Sequence, residues 1–582
     1  MEPLKTVKTL CFAGVLIGQL ISTTVIAGEH CPGYDPARKE VFWGDLHVHS
    51  GYSLDAWGYG TANTPREAYA FARGGVMSLP GGQQISLRRP LDFMAVTDHA
   101  EWFNLMYACS DPLWSDHSYC RTLIEKNAPE TGTEVFQEYV LPTVTEASPS
   151  ATPLCTTDPV QCSRAHQEQW RRIQRQANQA NDPCAFTTFI AFEWSATPNF
   201  SHNHRNVIFA GDRVSADALD YLRYPTPQAL WHELARQCRP ENDCDVLAIP
   251  HNTNMGDGKS FDVEVESPDD LALRAKYERL VEIHQEKGSS ECLPEFGKTD
   301  EDCNFEIILT LNSRPTPAAD FSQREWERMR GSYVRRLLLR GLSAYATSSD
   351  EVGQEAKNPL QLGIIGSTDN HAGSAGFVDE ETWQGSVFGF GDFDRTMTRR
   401  SWNPGGLVAV WAEENTRSSL FAALKRREVY GTSGPRIRVR MAASAKRLRC
   451  EEAIPEHSIA MGGTLRSSEE SPYFLVHAQY DRNPLTQIQI IKGQYRENKM
   501  LEEVAHVWQR QEGALDACVT WQDGDFDPDA PAFWYARVLE APTPRWSAYH
   551  CRAAGRCDDY SMTNVSIQER AWTSPIWYLP KS

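Results

Sequence analysis

Six short clusters of histidine and carboxylate residues, spread over roughly 330 positions, are the part of this sequence best equipped for chemistry. They are Gly44-Asp45-Leu46-His47-Val48-His49-Ser50, Thr97-Asp98-His99, Phe192-Glu193-Trp194, His202-Asn203-His204, Pro250-His251-Asn252 and Thr368-Asp369-Asn370-His371. Each offers one or two nitrogen or oxygen donors of the kind that zinc, manganese and iron accept. Donors this far apart in sequence, each beside an apolar strand-like run, point to one site at the mouth of an α/β barrel. The chemistry of such a site is metal-assisted hydrolysis.

His47 and His49 lie two apart on a strand-like run, so both imidazoles face one side and can reach one metal. Asp369 and His371 repeat that spacing after a later strand. Asp369 can complete the first metal with His47 and His49. His371 can complete another with His99 and the loop carboxylate Asp55. Asp98 is expected to orient an imidazole rather than to bind metal. Glu193 ends an apolar strand, where an unpaired carboxylate is costly, and its two oxygens can bridge two ions. His202 and His204 compete for one ligand position, and His204 is favoured because it leads straight into the next strand. His251 ends the run Val246-Leu247-Ala248-Ile249-Pro250.

The elements that must hold these residues alternate between strand and helix. Strands are read at 40–49, 91–97, 186–194, 205–210, 245–250, 280–285, 362–367 and 407–411. Helices are read at 65–73, 164–181, 227–237, 333–342 and 418–427. Thr64 is the N-cap of the first helix, with Pro65 at its first position. Residues 105–165 are polar, carry two close cysteine pairs, and mark an insertion or lid. From about residue 437 the pattern shifts to alternating runs such as Ile437-Arg438-Val439-Arg440-Met441. They predict a β-rich C-terminal region, either a small sandwich or extra sheet packed on the barrel. The organisation read is a leader over 1–27, a barrel domain over 28–440 and a β-rich region over 441–582.

Composition fits an exported enzyme. The chain has 582 residues, 41% hydrophobic and 23% charged, room for two or three domains. Lys5 and Lys8 precede an apolar run from Thr9 to Ala27, and cleavage is expected after Val25-Ile26-Ala27; an uncleaved anchor is the alternative. Of 15 cysteines one, Cys11, lies in the leader, which leaves an even number. The close pairs Cys109/Cys120, Cys155/Cys162, Cys238/Cys244, Cys292/Cys303 and Cys551/Cys557 are expected as disulfides, with Cys31, Cys184, Cys450 and Cys518 left over. A periplasmic or secreted location follows, without stable membrane insertion after leader cleavage. The net charge of −19 argues against a nucleic-acid-binding surface. It leaves room for a phosphorylated small substrate, because bound cations reverse the local field. No GxSxG elbow, P-loop or GxGxxG fingerprint is in evidence.

The order of these motifs resembles the polymerase and histidinol phosphatase (PHP) superfamily of metal-dependent phosphoesterases. Within it, Trp43-Gly44-Asp45-Leu46-His47-Val48-His49-Ser50, His204-Arg205-Asn206-Val207-Ile208-Phe209 and Tyr430-Gly431-Thr432-Ser433-Gly434-Pro435-Arg436 resemble the exported family known as domain of unknown function 3604. The resemblance implies an α/β fold, a distorted (β/α)7 PHP-type barrel, with two or three divalent ions (Mn, Zn or Fe). Carried over, His47, His49, Glu193 and Asp369 would hold the first ion. Glu193, His204 and His251 would hold the second, and Asp55, His99 and His371 the third. Several PHP phosphatases have a histidine where Asp55 stands. His284, with Gln285 and Glu291, is read as polarity on the substrate side. The implied activity is hydrolysis of a small-molecule phosphate ester by a metal-bound hydroxide. Arg205 or Arg436 would neutralise the phosphoryl oxygens, and His371 or His251 would protonate the leaving group. One rival is an amidohydrolase-like carboxyl-ester or lactone hydrolase, which typically adds a bridging lysine where Glu193 stands. The other is a non-catalytic metal- or glycan-binding protein using Trp534, Tyr535, Trp546, Tyr549, Trp572 and Trp577.

Overall fold

Residues 30–580 are described by the computed structural model, apart from 113, 148, 150, 262, 299–300, 312–313, 349–356, 467–469 and 561–564. The expected leader therefore lies outside the described residues.

Strand β1 (Glu40–Asp45) emerges from solvent and buries its last three residues. Helix α1 (Pro65–Ala72) starts on a reciprocal capping box between Thr64 and Glu67, which satisfies two orphan N–H groups. It returns the chain to β2 (Phe93–Ala95), which pairs parallel to β1. Helix α2 (Pro159–Ala180) starts at the Asp158 cap and packs Trp170 edge-on against Phe192 at 5.4 Å. Phe192 belongs to β3 (Thr187–Ala196), ten residues all buried and parallel to β2. Then the direction changes. Only 197–202 separate β3 from β4 (Asn203–Phe209), too short for a parallel crossover, and the two pair antiparallel. Helix α3 (Pro227–Gln237) leads to β5 (Val246–His251), again antiparallel to its neighbour.

Helix α4 (Pro268–Tyr277) precedes β6 (Leu280–Gln285), and α5 (Val334–Ser348) precedes β7 (Gly363–Gly366). These two strands pair parallel in a separate sheet. β8 (Leu407–Ala412) pairs antiparallel with β1, helix α6 (Arg417–Arg426) follows, and β9 (Val429–Thr432) pairs with β8. The expected α/β character is present, and closure into a barrel is not shown. The protein is mixed α/β with a large sheet, and no closed ring of hydrogen bonds joins β5 to β6 among the described residues.

The C-terminal alternation forms strands in two places. β10 (Arg438–Ser444), β11 (Tyr473–Gln479) and a strand at Asp516–Gln522 make their own sheet. Strands at Leu485–Arg496, Ala532–Glu540 and Arg570–Thr573 extend the main sheet beyond β9. Trp534, Tyr535, Trp546, Trp572 and Trp577 are buried there as core, which removes them as a sugar-stacking surface. The 105–165 segment is helical around its own small core of Leu105, Cys120, Leu123, Val135 and Leu154.

Seven disulfides staple the fold. The five close pairs join as expected, and the leftover cysteines pair as Cys31–Cys184 and Cys450–Cys518. That density belongs to an oxidising compartment. Among the described residues no helix is long and apolar enough to cross a membrane.

Candidate metal centre

The end of β1 is clamped to the segment after β7. The Asp45 carboxylate accepts from Thr368 N at 3.1 Å, Thr368 Oγ1 at 2.6 Å and Gly376 N at 2.9 Å. Asp369 N donates to His47 O, and His49 N to Asn370 O. Asp369 itself takes a left-handed backbone, φ 54°, a conformation aspartate tolerates better than most residues. Its Oδ1 lies 3.1 Å from His47 Nε2 and 3.2 Å from His49 Nε2.

Glu193 is the hub. Its Oε2 lies 3.1 Å from His47 Nε2 and 3.2 Å from His49 Nε2. Its Oε1 lies 2.8 Å from His204 Nδ1, 3.3 Å from His251 Nε2 and 3.4 Å from His99 Nδ1. Sheet register produces this: Ser195 sits opposite His204, and His204 opposite His251. Asp55 builds a further group, its Oδ2 3.1 Å from both His99 Nε2 and His371 Nε2. Among the described residues the donor atoms converge in four groups: His47–His49–Glu193; Glu193–His204–His251; His49–Asp55–His99–His371; and Glu286–Asp369–His371.

This donor set fits divalent cations. Both oxygens of buried Glu282 lie 3.1–3.2 Å from His47 Nδ1, so Nδ1 carries the hydrogen and Nε2 of a neutral ring is a lone pair. That lone pair faces two carboxylates, which repel it unless positive charge lies between them. His251 is buried with neither ring nitrogen hydrogen-bonded. Without a metal, protons must do the work. Burial opposes charge on His47, yet Asp369 and Glu282 raise its pKa well above the usual range. Burial alone would raise Glu193 and Asp55, but the imidazoles around each hold both well below it. His371 is raised to about 9 against its burial by Asp55, whereas burial pushes His204 down to about 4.

A second layer fixes the ligands. Ser53 Oγ lies 2.9 Å from His49 Nδ1 and donates to Asp98, so Asp98 orients an imidazole through a serine. Ser195 Oγ donates to Glu193 at 2.8 Å and lies 2.5 Å from His99 Nδ1. Thr197 Oγ1 holds His204 Nε2 at 2.7 Å.

The structure brings His47, His49, Asp55, His99, Glu193, His204, His251, Asp369 and His371 together. His251 and His371, read also as leaving-group acids, sit inside the ligand groups. Two arginines require correction. Strand alternation turns Arg205 to the face opposite His204, where it is buried against Glu278 at 2.9 Å. Arg436 lies at a separate surface, donating to the carbonyls of Arg89 and Pro90. His284 packs against Phe305 and Trp572, and burial pushes it down to about 3. Glu291 is paired with Arg537 and Arg335. The cation at the centre is Lys287, missed from the sequence together with Glu282 and Glu286. Its Nζ is bonded to Asp369 Oδ2 and lies 3.7 Å from Glu286 Oε1, while Gln285 Nε2 donates to Asp369 Oδ2 at 2.7 Å. The available signal was position, because these residues lie in or just after β6 as His47 and His49 follow β1.

Fold and site together define a mixed α/β protein with a buried histidine–carboxylate centre whose donors could hold metal ions. The family model described as "Protein of unknown function (DUF3604)" matches residues 36–511 and 498–580, and the chain belongs to that family. Among solved structures it is similar to a two-domain protein containing a predicted PHP-like metal-dependent phosphoesterase from Bacteroides vulgatus ATCC 8482. The identity is 10%, covering 88% of this chain and 92% of that one, with a TM-score of 0.30, too low to carry an argument. Among curated proteins nothing matches.

Proposed function

We propose that this chain is an exported hydrolase, periplasmic or secreted, that uses two or three divalent ions (Mn, Zn or Fe) to cleave a small-molecule phosphate ester. The observation that carries the reading is Glu193, whose two oxygens each face a different histidine pair, His47/His49 on one side and His204/His251 on the other. A carboxylate shared in this way is what two adjacent ions need. When bound, such ions polarise a phosphoryl oxygen and lower the pKa of water towards about 7.

The chain's own residues do the rest. Glu282 holds His47 in one tautomer, Ser53 and Asp98 hold His49, and Ser195 braces both Glu193 and His99. This fixes the donors before any ligand arrives. The Asp45 clamp keeps the two chain segments in register. The ligand order along the chain is the one that the PHP resemblance implies.

The test is metal analysis of the mature protein together with phosphomonoester, phosphodiester and carboxyl-ester probes, with and without chelator. Two or three equivalents of metal with chelator-sensitive phosphoester cleavage are expected. Metal with carboxyl-ester activity alone would refute the phosphoesterase reading, and a metal-free active enzyme would refute the centre itself.

A further inference from the structure

The centre is closed on one side and open on the other. His47, His49 and Glu193 have at most 1% of their side chains exposed. The atoms that meet solvent belong to Lys287, with 13% of its side chain exposed, Asp55 and His204 with 10% each, and His99 with 7%. Lys287 is the most exposed of these side chains.

Lys287 is a cation fixed by the chain. Its ammonium has three N–H donors. Asp369 takes one, Glu286 lies within 3.7 Å of the group, and Trp402 sits with its ring centre 5.5 Å from Nζ. At least one donor remains for a ligand. His202, which the ligand groups leave out, also stands at the centre, against His204 and within the field of the Lys287 ammonium. The His202 ring stacks on His204 at 4.9 Å, its backbone N–H is tied to Met255 O, and its Nδ1 is buried without a hydrogen bond. A buried, unpartnered ring nitrogen is costly and calls for a partner that the protein does not supply.

We propose that Lys287 and His202 form an oxyanion seat on the open side of the centre, which takes the non-bridging oxygens of a phosphate group. The proposal rests on the hydrolase reading above and sharpens its substrate to an anionic ester. The remaining ammonium N–H makes a stronger hydrogen bond with an anionic phosphoryl oxygen than with the neutral carbonyl of a carboxyl ester. Asp369, reached by His47 and His49 through one oxygen and by Lys287 through the other, couples the seat to the ions.

The test is titration calorimetry of inorganic phosphate into metal-loaded wild-type, Lys287→Met, Lys287→Arg and His202→Asn proteins, with metal content measured on the same samples. Lys287→Met is expected to weaken phosphate binding about 10- to 100-fold with metal content unchanged. Lys287→Arg should recover part of it, and His202→Asn should lose several-fold. Unchanged phosphate affinity in Lys287→Met and His202→Asn overturns the seat while leaving the hydrolase reading in place. Weakening accompanied by an equal loss of metal also overturns it, since Lys287 would then only position Asp369. If Lys287→Met does not fold, His202→Asn decides, and undiminished binding there overturns the seat. A metal-loaded wild-type protein that neither binds phosphate nor cleaves phosphate esters removes both readings at once.

Discussion

Glu282 belongs to none of the four donor groups and is the sharpest probe of the centre. Its side chain is fully buried, and both oxygens lie 3.1–3.2 Å from His47 Nδ1. The carboxylate fixes the tautomer that points the Nε2 lone pair inward and makes the ring more basic. Loss of such an outer partner typically lowers metal affinity about 10- to 100-fold, or about 1.4–2.7 kcal/mol. Glu282→Gln keeps an oxygen that accepts the Nδ1 hydrogen and loses only the charge, so it belongs near the tenfold end. Glu282→Ala leaves that hydrogen unpaired and frees the ring to change tautomer. It belongs near the hundredfold end, with about 1–3 kcal/mol of added destabilisation. The assay is competition for Mn or Zn against chelators of graded affinity, read beside the unfolding midpoint of the metal-free protein. Wild-type affinity and stoichiometry in Glu282→Ala would show that His47 is not a ligand held in this way, and the centre would have to be redrawn.

Three further outcomes follow from the same structure. Metal uptake near pH 7 should release protons, because His47, His49, His99 and His371 all have pKa values raised above the ordinary range and must lose their protons to bind; affinity should fall as pH falls. Titration in weak buffer reads this directly, and uptake without acidification contradicts it. Cys31–Cys184 spans 153 residues and Cys238–Cys244 spans 6, so loop-closure entropy predicts losses of about 5 and about 2 kcal/mol when each pair becomes serine. Denaturant unfolding of the two variants should rank them in that order. Burial pushes the Glu540 carboxyl up to about 7, so the folded state keeps a proton that the unfolded state gives up above about pH 4.5. Its contribution is present below that pH and declines as pH rises towards 7. Glu540→Gln should flatten this decline and raise the unfolding midpoint at pH 8; an equal or lower midpoint there is evidence against it.

The residues that meet at the centre were legible because their identity is local. His47 and His49 stand two apart just past the end of β1, and Glu193, His251 and Asp369 each stand where an apolar run ends. The departure from an all-parallel strand order was not read, because it depends on strand direction, and 197–202 is too short to return β4 parallel to β3. Arg205 was excludable from the sequence, since a period of two places it opposite His204. The residues around β6 are different, and the reason lies in one irregularity. His284 was read as lining the site from the resemblance, and alternation along a regular strand would put it on the face of Glu282. In the structure, Ile365 of β7 lies opposite Glu282 and the next residue, Gly366, lies opposite His284, so β6 carries one extra residue there. Such a bulge reverses the parity of everything after it. It turns His284 away towards Phe305 and Trp572, and brings Gln285 and then Lys287 onto Asp369. A regular β6 would have kept His284 on the face of Glu282 and turned Lys287 away from Asp369.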